Sequence, residues 1–347
     1  MTLGYTPTMP DGTKLRDVPA LISHGLVMPA QRAAMEELAA RYAISITPEM
    51  QALISSPHDP IGLQFVPDLA EMETAPHELT DPIGDEALSP IKGVVHRYAD
   101  RALLKPLLAC PVYCRFCFRR EQVGPEGGML TEAELAAAFA WFRAHPAIRE
   151  VILTGGDPLM LSPRRLGAII AALSLIPHIE ILRIHTRVPV VDPSAVTDAL
   201  AAALRTDKAM ILVLHANHAK EFTPAAQTAL RRLQSEAIPV LGQSVLLRGV
   251  NDSEQALEDL FRAMLRARVK PYYLHQLDPA PGTARFHVPI ERGQALLRGL
   301  RGRVTGLAWP VYVLDIEGGA GKVPLNPSYL DATTVTDPNG RHHPRPS

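Results

Sequence analysis

From Leu103 onward the chain alternates short apolar runs with longer stretches whose apolar residues recur at helical spacing. The runs are Leu103 to Ala109, Val151 to Leu153, Ile179 to Ile184, Met210 to Leu214, Val240 to Gln243 and Pro271 to Leu274. Helices are expected to begin near Thr131, Pro163, Pro193, Pro224, Ser253 and Pro289, four of them at a proline, whose missing N–H costs nothing in a first helical turn. Six strand-then-helix units in a row predict an α/β fold built on a parallel sheet, a partial (β/α)6 barrel. A seventh run, Val311 to Leu314, is placed to close or flank it. Upstream, one amphipathic helix is expected from Pro29 to Tyr42, and another opening at Thr47-Pro48-Glu49 with Thr47 as N-cap. Residues 55–93 carry Asp59-Pro-Ile-Gly62 and Asp81-Pro-Ile-Gly84 and show no sustained period. Phe65, Val66, Leu69 and Leu88 make this stretch an ordered wrap rather than a solvated linker. The expected division is a helical region with its wrap at 1–94, a barrel core at 95–308, and a C-terminal segment at 309–347.

Barrel chemistry sits at the C-terminal ends of strands. Polar residues fall there at every predicted strand: Cys110, then Gly155-Gly156-Asp157, His185 with Arg187, His215, Gln243, His275 with Asp278, and Asp315. All three cysteines lie in one run, Cys110-Pro-Val-Tyr-Cys114-Arg-Phe-Cys117. An odd number excludes a closed disulfide framework, and a structural zinc site would need a fourth ligand that no cysteine supplies. An iron cluster with one open position fits better. Three ordinary buried thiols, or a non-catalytic iron-sulfur or zinc-binding protein, are the competing readings.

The 347 residues carry 35 basic and 36 acidic side chains, for a formal net charge of -1. That balance offers no electrostatic footprint for nucleic acid or an anionic membrane, and it points to a small-molecule substrate. Met1 to Lys14 lacks an apolar signal core, and no run of about 18 apolar residues follows, so a reducing cytoplasm is the expected setting. Near the end, Asp315-Ile-Glu-Gly-Gly-Ala-Gly-Lys322-Val-Pro sets a lysine after a glycine-rich loop. Gly318 and Gly321 have the wrong spacing for a Walker A phosphate loop, and Lys322 is followed by Val and Pro.

The C-x3-C-x2-C spacing of Cys110, Cys114 and Cys117 resembles that of radical S-adenosylmethionine (SAM) enzymes. Between about Phe65 and Asn326 the chain also resembles the lysine 2,3-aminomutase family. The matching strings are Asp81-Pro-Ile-Gly84, Ser89-Pro90, His96-Arg-Tyr-Ala-Asp-Arg101, the cysteine loop with Phe118-Arg119-Arg120, Gly155-Gly-Asp-Pro158, Gln243 to Arg248, and Asn251-Asp252. The resemblance implies a radical SAM barrel in which the three thiolates hold three irons of a [4Fe-4S] cluster. It implies that Gly155, Gly156, Asp157, His215 and Gln243 contact SAM, and that Lys322 carries pyridoxal 5′-phosphate (PLP) as a Schiff base. Arg97 and Arg101 match the ligands of the PLP phosphate, which suits a guanidinium's fork. Arg119 matches the residue that grips the substrate carboxylate, and Asp278 and Asp315 match the pair that holds the distal ammonium of lysine. The implied reaction is an isomerisation, a radical 2,3-amino migration between L-lysine and β-lysine, with a reductase, flavodoxin or ferredoxin as electron donor and a homo-oligomer as one possible assembly. Two features depart from the clostridial pattern. No cysteine follows Cys117, so the family's C-terminal zinc ligands are lacking, and His275 stands where those enzymes tend to have tyrosine. Both resemble the branch that makes β-lysine for elongation factor P, which leaves that role, or another amino acid substrate, as the alternative.

Overall fold

The computed structural model describes residues 12–346. Each apolar run is a strand in one nine-stranded sheet whose spatial order follows the chain. The strands are β1 (Val94–Tyr98), β2 (Arg101–Leu107), β3 (Glu150–Gly155), β4 (Ile181–Thr186), β5 (Ala209–His215), β6 (Val240–Val245), β7 (Lys270–His275), β8 (Val311–Ile316) and β9 (Gly321–Pro324). β2 to β8 pair in parallel, so the run at Val311 is a seventh parallel strand beyond the six expected. β1 and β9 cap the two edges as antiparallel partners of β2 and β8. Neither was legible in advance, because both are short and take their pattern from the neighbouring strand. β10 (Thr334–Thr336) and β11 (His342–Pro344) form a separate ribbon.

The alternation along each strand explains the layering. On β4, Leu182 and Ile184 are fully buried under helices, while Arg183 and His185 point to the opposite, inner face. The covering helices are set by their caps. Thr131, Ser162, Thr223 and Ser253 each accept a backbone N–H from the first turn of the helix that follows. The helix Glu254–Arg266 buries Leu257, Leu260, Phe261 and Met264, one stripe at helical spacing. The helix expected at Pro193 is instead a short 3-10 turn, Pro193–Ala195, followed by Asp198–Ala202 under its own cap, Thr197.

Upstream, Pro29–Gln31 and Arg32–Arg41 form the expected helix, and Thr47 caps Pro48–Leu53. A further helix, Val18–Ser23, precedes them. The wrap is ordered by charge as well as by apolar contact. Glu71 is fully buried, and its carboxylate accepts from Arg115 at 2.6 Å and from Arg120, with Arg285 at 3.2 Å. Burial alone would raise this carboxyl, but the arginines, Arg115 foremost, hold it below the ordinary 4.5. Arg115 and Arg120 belong to the cysteine loop, so one buried acid fastens the wrap beneath that loop.

Breaking a buried pair by removing one partner leaves uncompensated charge and typically costs about 3–5 kcal/mol. Glu71→Gln is therefore expected to lower unfolding stability by about that amount in urea titrations at pH 7. Because the folded carboxyl lies below its unfolded value of 4.5, the parent should lose this contribution as pH falls through that range. A variant as stable as the parent would show that the cluster does not hold the wrap.

Candidate active site

The three cysteines follow β2 and sit half-buried in the loop that the Glu71 cluster supports. Burial raises the Cys117 thiol to about 11, with Cys114 adding to it, and raises Cys110 well above its ordinary value, with Asp157 and then the other two thiols adding to it. The Cys110 and Cys117 thiols are therefore neutral at pH 7, and an electropositive centre is needed to draw out their thiolates. Arg187, on the β4 end, donates to Cys114 Sγ at 2.9 Å. Its guanidinium is fixed by Glu221 at 2.8 Å and Gln64 at 2.5 Å. Among the described residues no three His, Cys, Asp or Glu side chains are drawn together tightly enough to hold a single metal ion. Three soft sulfur donors in one loop beside a buried cation fit an iron-sulfur cluster.

Gly155 and Gly156 bring the end of β3 against the chain that enters the cysteine loop. A Cβ on Gly156 would stand 2.2 Å from Ala109 O, and one on Gly155 would stand 2.7 Å from Leu107 O, so no side chain fits at either place. Asp157 is placed differently from a free ligand. Its carboxylate accepts four bonds, from Leu159 N, Thr186 Oγ1, Arg187 N and Val188 N, and so braces the β4 end. His215 and Gln243 face one another across β5 and β6. The Gln243 amide has no partner among the described residues, and His215 bonds Asn217 Oδ1 at 3.2 Å and meets Phe116 edge-on.

Lys322 lies on β9 directly opposite Asp315 on β8. The two form an ion pair, and Asp315 also takes both ends of the Arg97 guanidinium, at 2.7 and 3.2 Å. Arg97 is thus committed to a carboxylate. Arg101 stacks on the Tyr98 ring at 3.8 Å, and Tyr98 Oη accepts the Lys322 backbone N–H at 2.9 Å. The glycine loop ahead of Lys322 packs on the Asp81-Pro-Ile-Gly84 turn, and the Gly318 N–H donates to Pro82 O at 3.2 Å.

Asp278 stands apart. Its carboxylate has no partner among the described residues, and burial, with Asp315 as a second cause, raises it to about 7. Arg119 is oriented through Nε by Asp85 at 2.7 Å, and neither terminal nitrogen of its fork has a partner. Three imidazoles complete the inner wall. Burial drives His185 and His215 well below their ordinary value and His275 to about 3, with Lys322 adding to the His275 shift, so all three are neutral. The structure thereby brings Arg97, Arg119, Asp278, Asp315 and Lys322 into one electrostatic neighbourhood. Sequence reasoning missed Asp85, Lys105, Glu71 and Gln64, whose spacing signals nothing. His185 and Arg187 carried a signal, their place at a strand end.

Fold and site define a radical SAM enzyme, and the family model described as Radical SAM superfamily matches residues 104–261. A second, described as Lysine-2,3-aminomutase, matches residues 297–336, which include Asp315 and Lys322. The L-lysine 2,3-aminomutase of Clostridium subterminale is 38% identical over 289 residues, covering 83% of this chain and 70% of that one. That of Escherichia coli K12 is 38% identical over 303 residues, covering 86% of each. A glutamate 2,3-aminomutase of Clostridioides difficile is 31% identical over 319 residues, covering 91% of this chain and 75% of that one. The chain belongs to the lysine 2,3-aminomutase family, whose members are isomerases. No helix among the described residues is long and apolar enough to cross a membrane.

Asp278 lies above its unfolded value of 3.8, so ionising it costs folding stability, and the cost grows as pH rises from 3.8 to about 7. In ligand-free protein Asp278→Asn is expected to raise unfolding stability by about 2–4 kcal/mol at pH 8 and by less at pH 5. Denaturant titrations at the two pH values check this, and an equal gain at both would rule out the buried carboxylate as its source.

Proposed function

We propose that this chain is a radical SAM, PLP-dependent 2,3-aminomutase that interconverts L-lysine and β-lysine. The observation that carries the substrate is Asp278, a half-buried carboxylate without a hydrogen-bond partner that burial and the charge of Asp315 together raise. A distal ammonium entering there relieves the cost of the buried charge. A distal carboxylate, as in glutamate, would add like charge to a place where Asp315 already raises Asp278.

At the opposite end the free fork of Arg119 is shaped to take the substrate α-carboxylate in a two-point bond. The span from Arg119 to Asp278 then fixes the substrate between two charges, which orients its α- and β-carbons and limits rotation. Cys110, Cys114 and Cys117 hold the [4Fe-4S] cluster, with Gly155, Gly156, Asp157, His215 and Gln243 around SAM. Lys322 holds PLP and Arg101 faces its phosphate, while Arg97 stays paired with Asp315. When bound, these groups supply a hydrogen-abstracting radical and a conjugated ring that carries the migrating nitrogen. The chain's own part is positioning and exclusion of water. His185, His215 and His275, neutral and buried, line the wall without adding charge that would compete for either end of the substrate. Arg97 keeps Asp315 in register when Lys322 engages PLP.

Truncating one partner of a buried charge pair typically costs about 2–5 kcal/mol, so Asp278→Asn should lower kcat/KM for lysine by roughly 30-fold or more. Iron and PLP content should not change. Product analysis of parent and variant with lysine and with glutamate decides it: a parent that turns over glutamate but not lysine would end the lysine reading. Separately, Lys322→Ala is expected to lose the borohydride-reducible link to PLP while keeping the iron-sulfur absorption. A pyridoxyl label on Lys270 of the parent protein would move the cofactor elsewhere.

A further inference from the structure

The mechanism above makes no use of Lys105, a buried lysine on β2 whose side chain is 9% exposed. Strand alternation sends Ala102 and Leu104 under the helices and leaves Lys105 on the inner face, with Arg101. Its stem runs past Gly155, where a Cβ would stand 2.9 Å from Lys105 Cβ, so the glycine makes room for it. The ammonium ends on Asp85 Oδ2, the same oxygen that orients Arg119. Its two contacts are long, 3.5 Å to Asp85 and 3.4 Å to Gln122 Oε1. A desolvated ammonium with three donors and only two stretched contacts is under-satisfied. Two cations thus share one carboxylate oxygen.

We infer that Lys105 is a second cation for the α-carboxylate of the substrate, acting beside Arg119. Asp85 holds both cations in place while the site is empty, and the incoming carboxylate supplies the acceptor that Lys105 lacks. This rests on the reading of the site as one for an α-amino acid, and it does not depend on which side chain that amino acid carries.

The test uses holoenzyme with matched iron and PLP content. Lys105→Met is expected to raise KM for lysine about tenfold, with kcat within about threefold of the parent. Competitive inhibition by 1,5-diaminopentane, which is lysine without its carboxylate, should be unchanged. SAM affinity should be unchanged as well, and Lys105→Arg should recover most of the lost affinity. If Met at this position hinders folding, Lys105→Gln removes the charge with a polar group and is expected to show the same split. Equal weakening of lysine and 1,5-diaminopentane would overturn the inference, because the missing carboxylate would then make no difference. A loss of SAM affinity with lysine KM unchanged would also overturn it, assigning the cation to the methionine carboxylate instead. Should the parent act on a different amino acid, the lysine reading fails alone, and the same comparison of that amino acid with its decarboxylated amine still tests Lys105.

Discussion

A parallel sheet that stops short of a full barrel leaves its first and last strands without a ladder between them, and here the join falls to the carboxylate of Asp315. Arg97 reaches it from β1 and Lys322 from β9, while Asp315 itself is on β8. A buried carboxylate tolerates this place only because two cations share it. Tyr98 adds a neutral tie, accepting the Lys322 backbone N–H, and the glycine loop rests on the Asp81 to Gly84 turn. The position of Lys322 is therefore set from three parts of the chain, and so is that of any cofactor it holds.

The cysteine loop is fixed by the same means, buried acids that each collect several donors. Glu71 of the wrap collects Arg115 and Arg120 from the loop and Arg285 from the segment after β7, and Glu221 with Gln64 collects Arg187, which touches Cys114. Asp157 binds the backbone at the end of β4 and so fixes where Arg187 starts. The acid of the Gly-Gly-Asp turn thus works on the shape of the neighbouring strand end. The two glycines let the turn approach the loop as closely as backbone permits.

The charges proposed to face the substrate differ in kind from these braces. Asp315 and Asp85 are saturated by cations, whereas Asp278 and the fork of Arg119 are left open. An open buried charge lowers stability in the absence of ligand, and the ligand that restores the balance carries the opposite charge. The proposed preference of the site is therefore read from what it leaves unpaired. An acid at one end and a guanidinium at the other describe a zwitterion with a distal cation, and that is the basis for placing lysine above glutamate.

The sequence by itself determined the alternation of strands and helices, because the apolar periods and the capping residues Thr131, Ser253 and Thr47 are local signals. It also set polar residues at the close of every predicted strand and the three cysteines in one loop. Only the tertiary structure decided the partners. Asp278 and Asp315 are alike in sequence, yet one is held by Arg97 and Lys322 and the other is free, because pairing depends on what neighbouring strands bring within about 3 Å. Asp85, Lys105, Glu71 and Gln64 were silent for the same reason: the charged and amide side chains they pair with lie 17 to 214 positions away along the chain. Periodicity carries information over a few residues, while the strength of a buried charge pair is set by distances that only the folded sheet fixes.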